Sequence, residues 1–293
     1  MLQLLINAAI YAAEIAVIAT GLALTFSILR FANFAHVQFA IVGGYFSYAF
    51  AAMGLWLPFA ILLSAIVVGF GAIGIHRLVF RPLADLAPEG KMIVSWGVAL
   101  VLRSTIAAVF GGASLFFEVQ PQYYVVGDAI ISSLDIAVIV TAIVAMIVLH
   151  IVLFRTTLGT ALRALADNRD LAETRGMKSE RLVAVMWFIA GAFAALGGTL
   201  FALQARLQPD MDLLILLPVF ASVTLFGLGS IYGAVAGAVI LSFAQNIAIG
   251  VDLGGLFGDV SWFLPTQFRD AIAVGAMMLV LVLRPRAGIS GAR

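Results

Sequence analysis

The sequence has no cysteine, which excludes disulfides, thiolate nucleophiles and thiolate-held metals. Charge is scarce too: only 11% of the 293 residues are Asp, Glu, Lys or Arg, whereas a soluble domain carries about 25%. Such a chain cannot cover a water-facing surface. The histidines His36, His76 and His150 lack metal-ligand spacing, so no metal is expected. A net charge of +1 leaves no basic footprint for nucleic acid. The metal helix His-Glu-x-x-His, the elbow Gly-x-Ser-x-Gly and the phosphate loop Gly-x-x-x-x-Gly-Lys-Ser/Thr are all missing. Gly227-Leu228-Gly229-Ser230 only approaches the elbow and has no placed histidine. Without a phosphate loop, any dependence on ATP comes from a partner chain, and no cofactor is expected on this one.

What the chain does have is hydrocarbon. Hydrophobic residues make up 63% of it, and the mean hydropathy is +1.14. A membrane span needs about 20 apolar residues at a rise of about 1.5 Å each. Runs of that length recur, unlike the roughly ten-residue alternating segments of a β-barrel. The expectation is an all-α polytopic membrane bundle, with 1–293 forming a single transmembrane domain. Candidate spans are 2–28, 34–53, 57–76, 92–110, 134–154, 183–204, 213–228, 231–250 and 267–283. The seventh is short and contains Pro218, so it reads as a discontinuous piece near 213–237 and the count as eight or nine segments. Met1 to Asn7 has no basic residue and the apolar run continues past Ala19, the pattern of a membrane helix rather than a cleaved signal.

Lys and Arg collect on cytoplasmic flanks. Six of them, Arg155, Arg163, Arg169, Arg175, Lys178 and Arg181, fall in the loop at about 155–182. Counting crossings outward places Arg30, Arg77, Arg81, Lys91, Arg284, Arg286 and Arg293 on the same side. Arg206 and Arg269 fall at outer ends and Arg103 within a span. The loops 111–133 and 251–266 carry Glu118, Asp128, Asp252 and Asp259 but no Lys or Arg. Nine alternating crossings, with the N-terminus outside and the C-terminus cytoplasmic, fit this pattern.

Three stretches interrupt the hydrocarbon with chemistry. In the first, Asn33, His36 and Gln38 follow Arg30. Buried amide and imidazole groups must face protein or a water-filled cavity, so these residues either line a pathway or form a short boundary loop with Asn33 capping the next helix. The second is Gly229, Gly233 and Gly237, whose spacing of four puts them on one helix face for close packing. Gly43 and Gly44 read the same way. A polar break before a glycine-bearing helix thus occurs twice, at Asn33–Gly44 and Gly227–Gly237, as a repeat or as a coincidence of composition. The third is the loop itself: Ala161 to Ala166 favours helix, Asp167 and Asn168 end it or cap a second, and Gly176 closes that one. Such punctuation suits docking into a partner's groove, while a solvated positive loop explains only the arginines. Glu14, alone within the first span, is either a proton site or the partner of Arg103.

Asn33-Phe34-Ala35-His36 followed by Gly43-Gly44-Tyr45 resembles a signature of the high-affinity branched-chain amino acid ABC permeases. The run Leu158-Gly159-x3-Arg163-Ala164-x2-Asp167-Asn168-x3-Ala172-x3-Gly176 is similar to the ATPase-coupling loop of that family, and Phe226-Gly-Leu-Gly-Ser230-x2-Gly233-x3-Gly237 to its late glycine motif. Val37 and Gln38 depart from it, standing where Gly and often Glu follow the histidine. The resemblance implies an inner-membrane importer subunit for branched-chain or related small amino acids. Its partners would be two ATP-binding cassette subunits that hydrolyse ATP, a second homologous permease and a periplasmic solute-binding protein. It assigns coupling to Arg163, Ala164, Asp167, Asn168, Ala172 and Gly176, and the substrate pathway to Asn33, His36, Gln38 and Ser230. The alternatives from the residues are a proton-coupled transporter or channel for a small polar solute such as urea or an amide, using Glu14, and an intramembrane hydrolase using Ser230.

Overall fold

The computed structural model describes residues 1–251 and 263–283. Asp252, Asp259, Arg284, Arg286 and Arg293, which entered the charge count above, lie outside the described residues. Among the described residues, six helices are long and apolar enough to cross a membrane: Leu2–Leu29 (α1), Leu57–Phe80 (α3, Leu57–Ile75, continued by a π-helical turn at His76–Phe80), Pro88–Phe110 (α4), Ser133–Arg155 (α5), Ser179–Gln204 (α8) and Ile231–Gly250 (α10). Among them stand Ala35–Ala52 (α2), Asp212–Leu225 (α9), Arg269–Leu283 (α11) and two short helices, Thr157–Asp167 (α6) and Arg169–Thr174 (α7). With 14 residues α9 is about 21 Å long, less than the roughly 30 Å of a hydrocarbon core. Pro218 stands inside it.

The ends of the bundle are distinct. At one end the Met1 ammonium meets Asp128 at 3.7 Å, and Leu115 pairs with Leu207. The helical bundle has one local exception here, an antiparallel hairpin of Tyr123–Val126 (β1) and Ala129–Ser132 (β2). Gly127, at φ 64°, supplies the positive φ of a type II′ turn. At the other end Arg30 closes α1 and donates to the Ala166 carbonyl at 2.7 Å, tying α1 to α6. Arg81 meets Glu180 there at 2.6 Å.

The core runs along α1 and α8, with Ile15, Ile18, Met186, Trp187 and Leu200 fully buried. Small residues set the helix spacing. A Cβ on Gly43 of α2 would overlap the Ala195 backbone of α8, and one on Gly198 of α8 would overlap the Ala40 backbone of α2. Gly191 stands against Val68 and Ala72 of α3, and Gly197 against Ile18 of α1. Between apolar helices that gain nothing by leaving lipid for each other, contact this close is a main source of association. Ser47 and Thr199 hydroxyls, 2.8 Å apart, add a polar bond to the α2–α8 seam.

Candidate functional site

After α1 ends at Leu29, the chain does not start α2 at the same level. His36 Nε2–H donates to the carbonyl of Ile18 at 2.9 Å, and its ring lies against Gly21. Ile18 to Gly21 are eight to eleven residues from the end of α1, roughly 12–17 Å along its axis. The segment 30–34 therefore climbs back into the bundle before α2 begins. Asn33, His36 and Gln38 are fully buried, which corrects the boundary-loop reading. Asn33 is not the cap either: Phe34 holds that position without a side-chain bond, and the Phe34 N–H donates to Ser95 Oγ at 3.0 Å. Phe34 stacks on Phe220 of α9 with centroids 5.0 Å apart, tying the break to that helix.

Among the described residues, both polar atoms of the Asn33 and Gln38 side chains lack a hydrogen-bond partner, as does His36 Nδ1. A buried amide without a partner costs about 1–3 kcal/mol. Three buried polar side chains thus stand within six residues at the break before α2.

At the C-terminal end of α1, to which Arg30 ties it, the α6–α7 pair is built by its caps. Thr156 Oγ1 accepts from Gly159 N–H at 3.1 Å and starts α6. Asn168 ends α6 and starts α7, its Oδ1 accepting from Leu171 N–H at 3.0 Å. Gly176, at φ 80°, follows the end of α7 in a conformation that a side chain would strain. Gly159, Leu162, Leu165 and Ala172 are buried against the bundle. Arg163, Asp167, Asn168 and Gly176 are exposed, and Ala164 is half-buried. Ala172 therefore seats the pair against the bundle, while Arg163, Asp167, Asn168 and Gly176 face outward. Leu171, absent from the sequence-based set, is 56% exposed in the middle of α7. Its isolation in a six-residue helix left no periodicity to reveal it. Hydrogen bonds from Ser179 and Arg169 hold the Glu173 carboxyl below its ordinary value, keeping the Arg169–Glu173 pair charged.

The glycine ladder needs correction. Gly229 precedes α10, so it shares no helix face with Gly233 and Gly237. Gly237 is the close-approach position, where a Cβ would overlap the Ser222 carbonyl of α9. The Gly227 φ of 104° turns the chain between α9 and α10. Ser230 caps α10, its Oγ accepting from Gly233 N–H at 3.0 Å. It lies away from Asn33, His36 and Gln38, at a cleft of about 440 Å³ lined also by Ser27, Arg30, Arg163 and Asp167. Loss of that cap in Ser230→Ala should cost about 1 kcal/mol, lowering the midpoint of thermal unfolding by about 2–4 °C.

Glu14 does not pair with Arg103. Arg103 reaches Asp212 of α9 at 3.0 Å instead. Glu14 is buried, its Oε1 without a partner among the described residues. One turn earlier in α1, the guanidinium of Arg269 stacks on Tyr11 at 3.7 Å from the ring centroid.

The sequence is similar to those of known proteins along nearly its whole length. The family model described as branched-chain amino acid transport system, permease component, matches residues 4–283. The high-affinity branched-chain amino acid transport system permease protein BraD of Pseudomonas aeruginosa is 28% identical, over 99% of this chain and 95% of its own length. LivH of Escherichia coli K12, of the same description, is 26% identical over the same shares. A probable branched-chain amino acid transport permease protein LivH of Methanocaldococcus jannaschii is 28% identical over 99% of this chain and 92% of its own. With a family match along nearly all its length and six helices able to span a bilayer, this multi-pass membrane protein belongs to the branched-chain amino acid transport permease family.

Proposed function

We propose that the chain is the translocating subunit of an ATP-driven importer in the bacterial inner membrane, carrying branched-chain or related small amino acids. In this reading 1–293 is one permease domain, and α1, 30–52, α3, α4, α5, α8, α9, α10 and α11 alternate across the bilayer. The end carrying Arg30, Arg81 and α6–α7 is cytoplasmic, because Lys and Arg are retained on that side. The N-terminus and hairpin then face the solute-binding protein, and α6–α7 faces one of two ATPases. A second homologous permease completes the membrane part.

The observation that carries the reading is the seating of α6–α7. One face is buried through Gly159, Leu162, Leu165 and Ala172, while Arg163, Asp167, Asn168 and Leu171 stand free. A rigid, half-buried pair transmits a push from a bound partner to the elements it rests on, and Arg30 links it directly to α1. Asn33, His36 and Gln38 line the pathway at the break. Their unpartnered atoms would be satisfied by water or by the solute's polar groups as the bundle opens. Ser230 and the cleft around it lie at the cytoplasmic exit.

Because the chain has no cysteine, Leu171→Cys introduces its single thiol. In the assembled complex this variant should cross-link to an ATPase subunit through a short bifunctional reagent. Leu62→Cys, on the exposed apolar face of α3, should not. Absence of the Leu171→Cys adduct in a complex that hydrolyses ATP contradicts the docking assignment.

A further inference from the structure

A second cleft, of about 590 Å³, opens at the α6–α7 end, between the π-helical turn after α3, the start of α4, α7 and the first turns of α8. Its polar wall is cationic: Arg77, Arg81, Lys91, Arg169 and Arg181 line it against one carboxylate, Glu180. Glu180 is engaged by Arg81 at 2.6 Å, and Arg169 by Glu173 at 3.1 Å. Arg77, Lys91 and Arg181 have no carboxylate within ion-pair distance among the described residues. His76 Nδ1 is buried and unpartnered at the same place, its ring stacked on Trp187 at 5.4 Å. The wide turn that shapes the wall is closed by the Arg81 N–H donating to the His76 carbonyl at 2.8 Å.

The other wall is apolar, formed by Leu29, Phe31, Phe80 and Val183. Leu78, on the same turn as the lining residues Arg77 and Phe80, is 81% exposed, as are Leu62 and Phe70 on α3 to a lesser degree. A soluble anion uses only the cations. A molecule with a phosphodiester on a hydrocarbon chain uses both walls. Basic pockets between membrane helices on the cytoplasmic side bind anionic headgroups in this way.

We propose that this cleft is a binding site for the headgroup of an anionic phospholipid, its phosphodiester held by Arg77, Lys91 and Arg181 and its chain leaving along Leu78. Arg169 of α7 also lines the cleft, so the bound lipid braces the π-helical turn against the α6–α7 pair. The assignment rests on membrane embedding and not on the coupling role, so it stands or falls separately from that reading.

The test uses the purified full-length chain in dodecyl maltoside micelles doped with phosphatidylglycerol or with phosphatidylcholine. Phosphatidylglycerol should raise the midpoint of thermal unfolding by about 5 °C over phosphatidylcholine. The triple variant Arg77→Gln, Lys91→Gln, Arg181→Gln should lose most of that difference. Native mass spectrometry of the unaltered chain from an equal mixture of the lipids should show preferential retention of phosphatidylglycerol, a readout that does not depend on the variant folding. Equal retention of the two lipids overturns the proposal, as does a triple variant stabilised as much as the parent. An equal shift produced by inorganic phosphate alone also overturns it, assigning the cleft to a free anion.

Discussion

Gly198→Leu is expected to abolish recovery of folded protein. The glycine lies on α8 where its missing side chain admits the backbone of α2 at Ala40, and the reciprocal approach of Ala195 to Gly43 sits one turn away. A side chain at 198 has no flexible neighbour to displace, since what it meets is main chain. The helices must separate, and the seam then loses the Ser47–Thr199 bond as well. We expect a loss of about 3 kcal/mol, the upper end for overpacking, and more where separation spreads to α1 and α3, which pack on the same helix. Size-exclusion profiles in mild detergent should show aggregate in place of a monodisperse peak. Gly74→Ala in α3, where no atom lies within 4 Å of the added carbon, should leave the profile unchanged.

Arg103→Leu carries the second large effect. Asp212, at the first turn of α9, is 7% exposed, and the Arg103 guanidinium 3.0 Å away is its counter-charge. Arg103 is half-buried, and removing it leaves the buried Asp212 charge uncompensated, at a cost of about 3 kcal/mol, the lower end for a fully buried pair. The double variant Arg103→Leu, Asp212→Leu should recover most of the stability, because a buried pair replaced by apolar residues is often neutral. Thermal unfolding of the two variants side by side checks this. Equal destabilisation of the single and double variants would mean that the pair contributes shape, not charge balance.

The long helices were legible because composition requires them: α1, α4, α5, α8 and α10 are apolar runs in which charged residues within the span, Glu14 and Arg103, stand singly. The punctuation of α6 and α7 was legible for a local reason. Asn168 caps, and Gly176 takes a positive φ, through bonds and torsions set within a few residues. The depth at which α2 begins was not legible. Arg30 to Gln38 reads equally as a boundary loop or a re-entering break, and the bond from His36 to Ile18 that decides between them joins two helices. Of the two readings of Glu14, the pairing with Arg103 fails because Arg103 reaches Asp212 through the packing of α9 on the bundle, a contact between segments distant in sequence. The glycine ladder failed by one residue: a period of four presumes an unbroken helix, and the Ser230 cap begins α10 after Gly229. The hairpin left a signal that went unused, two β-branched and aromatic runs around Gly127-Asp128.

Two mechanisms remain distinct in what they ask of this chain: movement driven by ATPases pressing on α6–α7, or movement driven by protons at Glu14. Uptake of radiolabelled leucine into proteoliposomes separates them most directly. The chain would be reconstituted alone under a pH gradient and, in parallel, as a complex with its second permease, ATPases and loaded binding protein under ATP. The account predicts ATP-dependent uptake by the complex, at least about tenfold lower in Arg163→Glu, a loss equivalent to about 1.4 kcal/mol, and none by the chain alone. Uptake by the chain alone that follows the pH gradient and disappears in Glu14→Gln would contradict it.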